Sequence, residues 1–144
     1  MVRRAEKNDI PIIADLAVLL WNGNSADGLN NEFTEMLSND NAKFFLKYEN
    51  DIPVGFAQCQ LRHDYVEGTE TTPVGYLEGI YVKENYRRRG YAKELLTECE
   101  KWAKEKGCTE FASDCEIDND VSFQFHKAVG FAETNRIICF AKEI

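Results

Sequence analysis

The chain has no CxxC pair, only two histidines and three prolines. Five cysteines (Cys59, Cys99, Cys108, Cys115, Cys139) are an odd set without metal-ligand spacing, which excludes a zinc ribbon or a closed disulfide framework. No metal is expected, and a reducing cytoplasm fits this cysteine usage. No stretch approaches the roughly 18 apolar residues of a membrane span, so no membrane partner is expected. The start, Met1-Val2-Arg3-Arg4-Ala5-Glu6, lacks the apolar core of a signal peptide. Positive charge is scarce as well. Seventeen bases stand against 25 acids, a net charge of -8. Nucleic-acid binding by the whole surface is disfavoured, because phosphates would be repelled. Two readings of the charge stay open: a cationic small molecule or basic peptide as partner, or solubility alone. Neither GxxxxGK[ST] nor GxGxxG occurs. There is no internal repeat, no low-complexity segment and no linker.

What is present suits one domain spanning residues 1-144, long enough to bury a full core without staples. Met1 to Arg4 reads as a short strand. Asn8-Asp9-Ile10-Pro11 reads as a helix start, with an amide or acidic cap and proline in the first turn. Ile12, Ile13, Leu16, Leu19 and Leu20 continue it at helical spacing. Trp21 to Asn31 reads as a loop, and Leu29, Phe33, Met36 and Leu37 suggest a short second helix. A strand over Ala42 to Glu49, a turn at Asn50-Asp51-Ile52-Pro53 and a strand over Val54 to Leu61 form a hairpin. His63 to Pro73 is a long loop before a strand over Gly75 to Lys83. Gly90 to Lys106 is an amphipathic helix closed by Gly107. Thr109 to Asp114 is a strand, Asp118 to Val129 a helix, and Phe131 to Lys142 a final strand pair or bent strand. The order predicts an α+β fold with a mixed central β-sheet flanked by helices. The strand-helix-strand unit from Gly75 to Asp114 implies a parallel pair.

The segment Arg87-Arg88-Arg89-Gly90-Tyr91-Ala92 joins strand to helix. A turn of this kind aims backbone N–H groups at one spot, at the positive end of a helix dipole. Three arginines there oppose the dipole, so a bound anion is the expected reason for them; a solvated basic helix start is the other reading. Two acids stand out. Glu78 interrupts the apolar run Val74 to Val82, where a carboxylate is expensive to bury unpaired. Asp114 closes the next strand, where ligands of open sheets tend to bind. Together they would hold an ammonium group and relay its proton. Alternatively, Glu78 lies at a solvated edge and Asp114 caps a turn. An acyl-enzyme on Cys115 is disfavoured, because neighbours on a strand face opposite ways and no base adjoins it.

Leu77-Glu78-Gly79-Ile80-Tyr81-Val82, the turn from Tyr86 to Ala92, Leu95-Leu96, Asn119 and the run Phe125 to Phe131 follow one another in the order and spacing of a known family. The chain resembles the GCN5-related N-acetyltransferases, most of all their aminoglycoside 6'-N-acetyltransferases. Trp21, His63 to Gly68, Ala112 to Asp114 and His126 to Thr134 extend the resemblance over nearly the whole chain. It implies acetyl-CoA as cosubstrate. It implies that N–H groups from Arg88 to Ala92, beside Arg87, hold the CoA pyrophosphate. It implies that the edge Ile80, Tyr81, Val82 pairs with the pantetheine arm, that the Ile80 N–H polarises the thioester carbonyl, and that Asn119 bonds the cofactor near its thiol. Trp21, Tyr65, Glu78, Asp114 and Asn135 fall at acceptor-site positions. His126 stands where many of the superfamily carry a tyrosine acid; it either serves as that acid or packs. Asn135 replaces an acid and Asn24 a histidine found in several such enzymes. The acceptor implied is the 6'-amino group of an aminoglycoside, attacked directly in a ternary complex. A polyamine, a metabolite amine or a protein N-terminus is the rival acceptor, and a CoA-binding sensor is the rival without catalysis. A homodimer is expected, with the terminal segment Arg136 to Ile144 pairing across chains.

Overall fold

The computed structural model describes residues 1–144. Five strands form one sheet in the order β1-β2-β3-β4-β5. They are β1 (Val2–Arg4), β2 (Ala42–Glu49), β3 (Ile52–Arg62), β4 (Val74–Val82) and β5 (Phe111–Ser113). The first four are antiparallel in succession, and β5 joins β4 in parallel, as the strand-helix-strand order implied. Helices α1 (Ile10–Leu20) and α2 (Ala26–Leu37) cover one face. Helix α3 (Tyr91–Glu105) covers the other, joined by flanking side chains of α4 (Asp120–Ala128).

The central strands are apolar on both sides because both sides are covered. In β2, Phe44 and Leu46 point to α1 and α2, while Phe45 between them points to α3. Asn50 and Asp51 turn β2 into β3 with φ of 48° and 63°, a left-handed conformation these two residue types tolerate. On α3 the stripe Leu95, Leu96, Cys99, Trp102, Ala103 is buried at helical spacing. The α3 face also fixes β5. A Cβ at Gly75 would lie 2.5 Å from the Phe111 ring and 2.7 Å from the Ala103 methyl, so only glycine lets the two strands and the helix meet.

Four expectations need correction. The region 21–31 is not all loop, since α2 begins at Ala26 with Ser25 as its cap; the Ser25 Oγ accepts from the Gly28 N–H at 3.0 Å. Asp9 stands at the N-cap position of α1, but its side chain makes no cap bond there. Its carboxylate takes two bonds of 2.7 Å from Arg3 and one of 2.8 Å from the Glu6 N–H. Most consequentially, Phe131 to Ile144 forms no strand pair within the chain. The predicted strand over 109–114 is also shorter, because β5 has only β4 to pair with and stops at Ser113.

Candidate active site

The last β4–β5 pair is Leu77 with Ser113, yet β4 runs on to Val82. The edge from Glu78 to Val82 therefore faces no strand, and the two strands part into a gap. At the end of this gap lies the basic turn. The N–H groups of Arg88, Arg89, Gly90, Tyr91, Ala92 and Lys93 donate to no group of the protein. Arg88 at φ 62° and Gly90 at φ 81° turn the chain left-handed, so successive N–H groups converge. They border a cavity of about 220 Å³ whose walls include Val82, Tyr91, Phe125 and Val129. Convergent N–H donors at a helix start are a fit for a diphosphate.

The arginine side chains have a different explanation from the one expected. Arg87 donates through Nε to the Val82 carbonyl at 2.8 Å and lies over the Tyr81 ring. Arg89 pairs with Glu49 at 2.9 Å, and the Tyr91 hydroxyl reaches the same carboxylate. Two of the three charges are thus answered by the protein itself, and Arg88 alone makes no side-chain bond or ion pair. The backbone, more than the arginine charge, carries the anion reading.

Beyond the gap, Asn119 caps α4, its Oδ1 accepting from the Ser122 N–H at 3.1 Å; its amide nitrogen donates to no protein group. His126 on α4 neither packs loosely nor stands free. Its Nδ1 is 2.7 Å from the Ser122 carbonyl, which only accepts, so Nδ1 carries a proton. Its Nε2 is then left facing the Ser113 hydroxyl at 2.8 Å. Ser113 in turn lies 3.3 Å from the Leu77 carbonyl. When the ring is neutral, Ser113 donates to Nε2. When it is protonated, Nε2 donates to Ser113, which donates onward to Leu77. The pair joins α4 to the end of β5 by this hydrogen-bond chain.

The opposite face gathers the acids. Gln58 pairs with Gly79 and Cys59 with Leu77, so Glu78 is the extra residue of a β-bulge. A bulge re-aims its side chain, and here the carboxylate lines a cavity of about 330 Å³ with Trp21, Asn24, Glu32 and Gln58. Glu78 is not at a solvated edge: its side chain is 19% exposed and paired with Arg62, Nε to Oε1 and Nη2 to Oε2 both at 2.9 Å. Burial pushes its carboxyl above the usual range, opposed by Arg62. Asp114 does not cap a turn either; it accepts from the Tyr76 hydroxyl at 2.5 Å. Burial, and then the Asp114 carboxylate, push the Tyr76 phenol up, so it stays a donor. The Arg62 guanidinium lies 3.5 Å from the Tyr76 ring centre, joining both acids in one chain of contacts.

Trp21 is half-buried. It packs on Phe33, Phe56 and Gly79 while one side faces the Glu78 cavity. Tyr65 is 78% exposed on the loop above. Asn135 donates to Glu67 at 2.9 Å, fastening the root of the C-terminal segment to that loop. The structure thus brings Trp21 and Glu78 to one cavity, links Asp114 to it through Tyr76 and Arg62, and sets the backbone turn on a second cavity walled by Phe125 of α4 and Val129 just after it, while Asn119 lines neither. Cys115 is exposed beyond β5, while Cys59 and Cys99 are in the core.

The sequence profile of the acetyltransferase (GNAT) family matches residues 10–131. The chain belongs to that family. Among curated relatives, aminoglycoside N(6')-acetyltransferase type 1 of Salmonella enteritidis is 37% identical over 141 residues, 98% of this chain and 97% of the relative. The enzyme of the same description from Acinetobacter haemolyticus is 42% identical over 125 residues, covering 87% and 86%. Among solved structures, AAC(6')-Iy with the bisubstrate analogue CoA-S-monomethyl-acetylneamine superposes with a TM-score of 0.95 at 36% identity, over 100% of this chain and 98% of that one.

Within this family frame, Arg62, Tyr76 and Ser113 are the site residues that sequence reasoning missed. Arg62 and Tyr76 sit on strands, sixteen and thirty-eight positions from the acids they touch. One signal did exist: a carboxylate in an apolar strand demands a cation, and Arg62 ends the neighbouring strand. No cluster of three or more His, Cys, Asp or Glu is placed to hold a metal. No helix is long and apolar enough to cross a membrane.

Proposed function

We propose that this GNAT protein transfers the acetyl group of acetyl-CoA to the 6'-amino group of aminoglycoside antibiotics, by direct attack within a ternary complex. The observation that carries the reading is the run of unpartnered N–H donors from Arg88 to Lys93, set beside a parted strand pair whose far side holds Glu78 and Asp114. Family membership and relatives named for this activity support it. Acetyl-CoA supplies the group transferred. The N–H groups from Arg88 to Ala92, with Arg87 walling the turn, hold its diphosphate. The edge Ile80, Tyr81, Val82 lines the pantetheine arm, and the Ile80 N–H faces the carbonyl oxygen as charge builds there. Asn119 donates near the thiol end. Glu78 and Asp114 bind the acceptor's ammonium and draw off its proton, while Trp21, Tyr65 and Asn135 border the aminoglycoside. Positioning supplies most of the acceleration. Ser113 and His126 return a proton to the departing thiolate.

Purified protein assayed for thiol release with kanamycin, tobramycin and spermidine tests this. Turnover of the two drugs is expected. Turnover of spermidine alone would move the acceptor to polyamines, and acetyl-CoA binding with no turnover of any amine would make the chain a CoA sensor. Asn135 in place of an acid favours keeping the first of these rivals in the panel. The protein is further proposed to work in the cytoplasm as one 1-144 domain and as a homodimer. The exposed side chains of Ile137, Ile138 and Phe140 support the dimer.

A further inference from the structure

We propose that Arg62 is a positioning residue for the acceptor face: it fixes the orientation and the negative charge of Glu78 and, through Tyr76, binds Glu78 and Asp114 into one unit. This deepens the acetyltransferase reading and rests on it.

The geometry begins with the bulge. Glu78 has no residue opposite it on β3, so the ladder does not hold its backbone as it holds a paired strand residue. What pins the carboxylate is the Arg62 fork. Two parallel bonds of 2.9 Å occupy one lone pair on each oxygen and set the carboxylate plane. The fork is itself held flat, because the guanidinium stacks on the Tyr76 ring at 3.5 Å. The Tyr76 hydroxyl then donates to Asp114 at 2.5 Å. Arg62 thus lies between the two acids, and the three charged groups sum to a single negative charge facing the acceptor.

The charge matters as much as the angle. A half-buried carboxylate with no cation beside it takes up a proton and loses its hold on an ammonium. The groups facing Glu78 are few. β3 contributes Arg62, β4 contributes Tyr76, the end of β5 contributes Asp114, and α2 contributes Glu32 across the cavity. The end of α1 and the loop after it contribute Trp21 and Asn24, which are uncharged. Arg62 is the one cation among them, against two other acids. A lysine would keep the charge without the fork or the stacked plane.

The experiment measures kcat/KM against pH for tobramycin with acetyl-CoA, in wild type, Arg62→Met and Arg62→Lys. Carbon-13 titration of the Glu78 carboxyl in the free proteins is run beside it, the signal assigned with Glu78→Gln. In Arg62→Met both the acid limb of the profile and the Glu78 titration should move up by roughly one to two pH units. Arg62→Lys should shift less but lose about tenfold in kcat/KM for want of the fork. An unmoved Glu78 titration in Arg62→Met, or a loss of activity equal at every pH, overturns the proposal. Should Arg62→Met fail to fold, an unchanged kcat/KM in Arg62→Lys overturns it instead. If wild type turns over no tobramycin, the proposed function fails, and the carboxyl titration still decides the role of Arg62.

Discussion

His126 shows how one side chain's role depends on the atom its other nitrogen meets. The Ser122 carbonyl fixes a proton on Nδ1 and leaves Nε2 to exchange one with Ser113. If this pair returns a proton to the leaving thiolate, His126→Gln should lower kcat with acetyl-CoA by about 10²-fold. The KM for acetyl-CoA should hardly move. Steady-state kinetics, with circular dichroism to confirm folding, tests this; an unchanged kcat would leave His126 a packing residue between Phe125 and Phe131. Asp9 makes a residue-scale case of another kind. Arg3, ahead of the Glu6 N–H, holds its carboxyl below the usual range, against the effect of burial. A carboxyl lowered in the folded state stabilises the fold above its unfolded pKa of about 4 and loses that contribution as pH falls through the folded value. Asp9→Asn should therefore cost about 1–3 kcal/mol at pH 7. The difference from wild type should shrink in urea melts as pH falls through the native carboxyl's lowered pKa, where that carboxyl is protonated too. A difference constant with pH would remove the ion pair as its cause.

Elements place these residues, and β4 places most of them. Its glycine at 79 lies under the Trp21 ring: a Cβ there would come within 2.5 Å of that ring. Gly79→Ala should push Trp21 out of the Glu78 cavity at an overpacking cost of about 1–3 kcal/mol. Acceptor KM should rise while acetyl-CoA affinity, read by calorimetry, holds; equal loss of both would show that β4 as a whole had shifted. Much of this element level was legible in the chain. The strand over Ala42–Glu49 shows as an apolar run closed by two left-handed-tolerant residues, and α3 shows as a buried stripe at helical spacing. The start of α2 was not legible, because Gly28, Asn30 and Asn31 are poor helix formers. Burial of Leu29 and Phe33 against the sheet outweighs that propensity. The Arg62–Glu78 fork was only half legible: the buried acid asked for a cation, but not for this one. Its partners meet only because a bulge shifts the register of β3 against β4, and no local pattern marks that shift.

The whole molecule leaves one segment unsatisfied. From Phe131 to Ile144 the backbone joins no helix or strand, and Ile138 and Phe140 are 82% and 92% exposed. β5, three residues long, keeps its outer edge unpaired at the border of the sheet. A row of free N–H and C=O groups beside a row of exposed apolar side chains is unstable against pairing. In a twofold dimer each chain both offers such a segment and receives one, so both needs are met by the same contact. Sequence could mark the segment as strand-forming, but the proposed dimer would put its partner outside the single chain. Removing residues 137–144, or introducing Ile138→Asp with Phe140→Asp, should turn a dimer into a monomer in sedimentation velocity. Because Asn135 fastens the root of this segment to the loop bearing Tyr65, and β5 leads straight into Asp114, acceptor KM should rise in the same variants. Acetyl-CoA binding at the α3 turn, on the far side of the gap, should persist. A wild-type chain that sediments as a monomer would mean the segment finds its partner elsewhere and would end the dimer proposal.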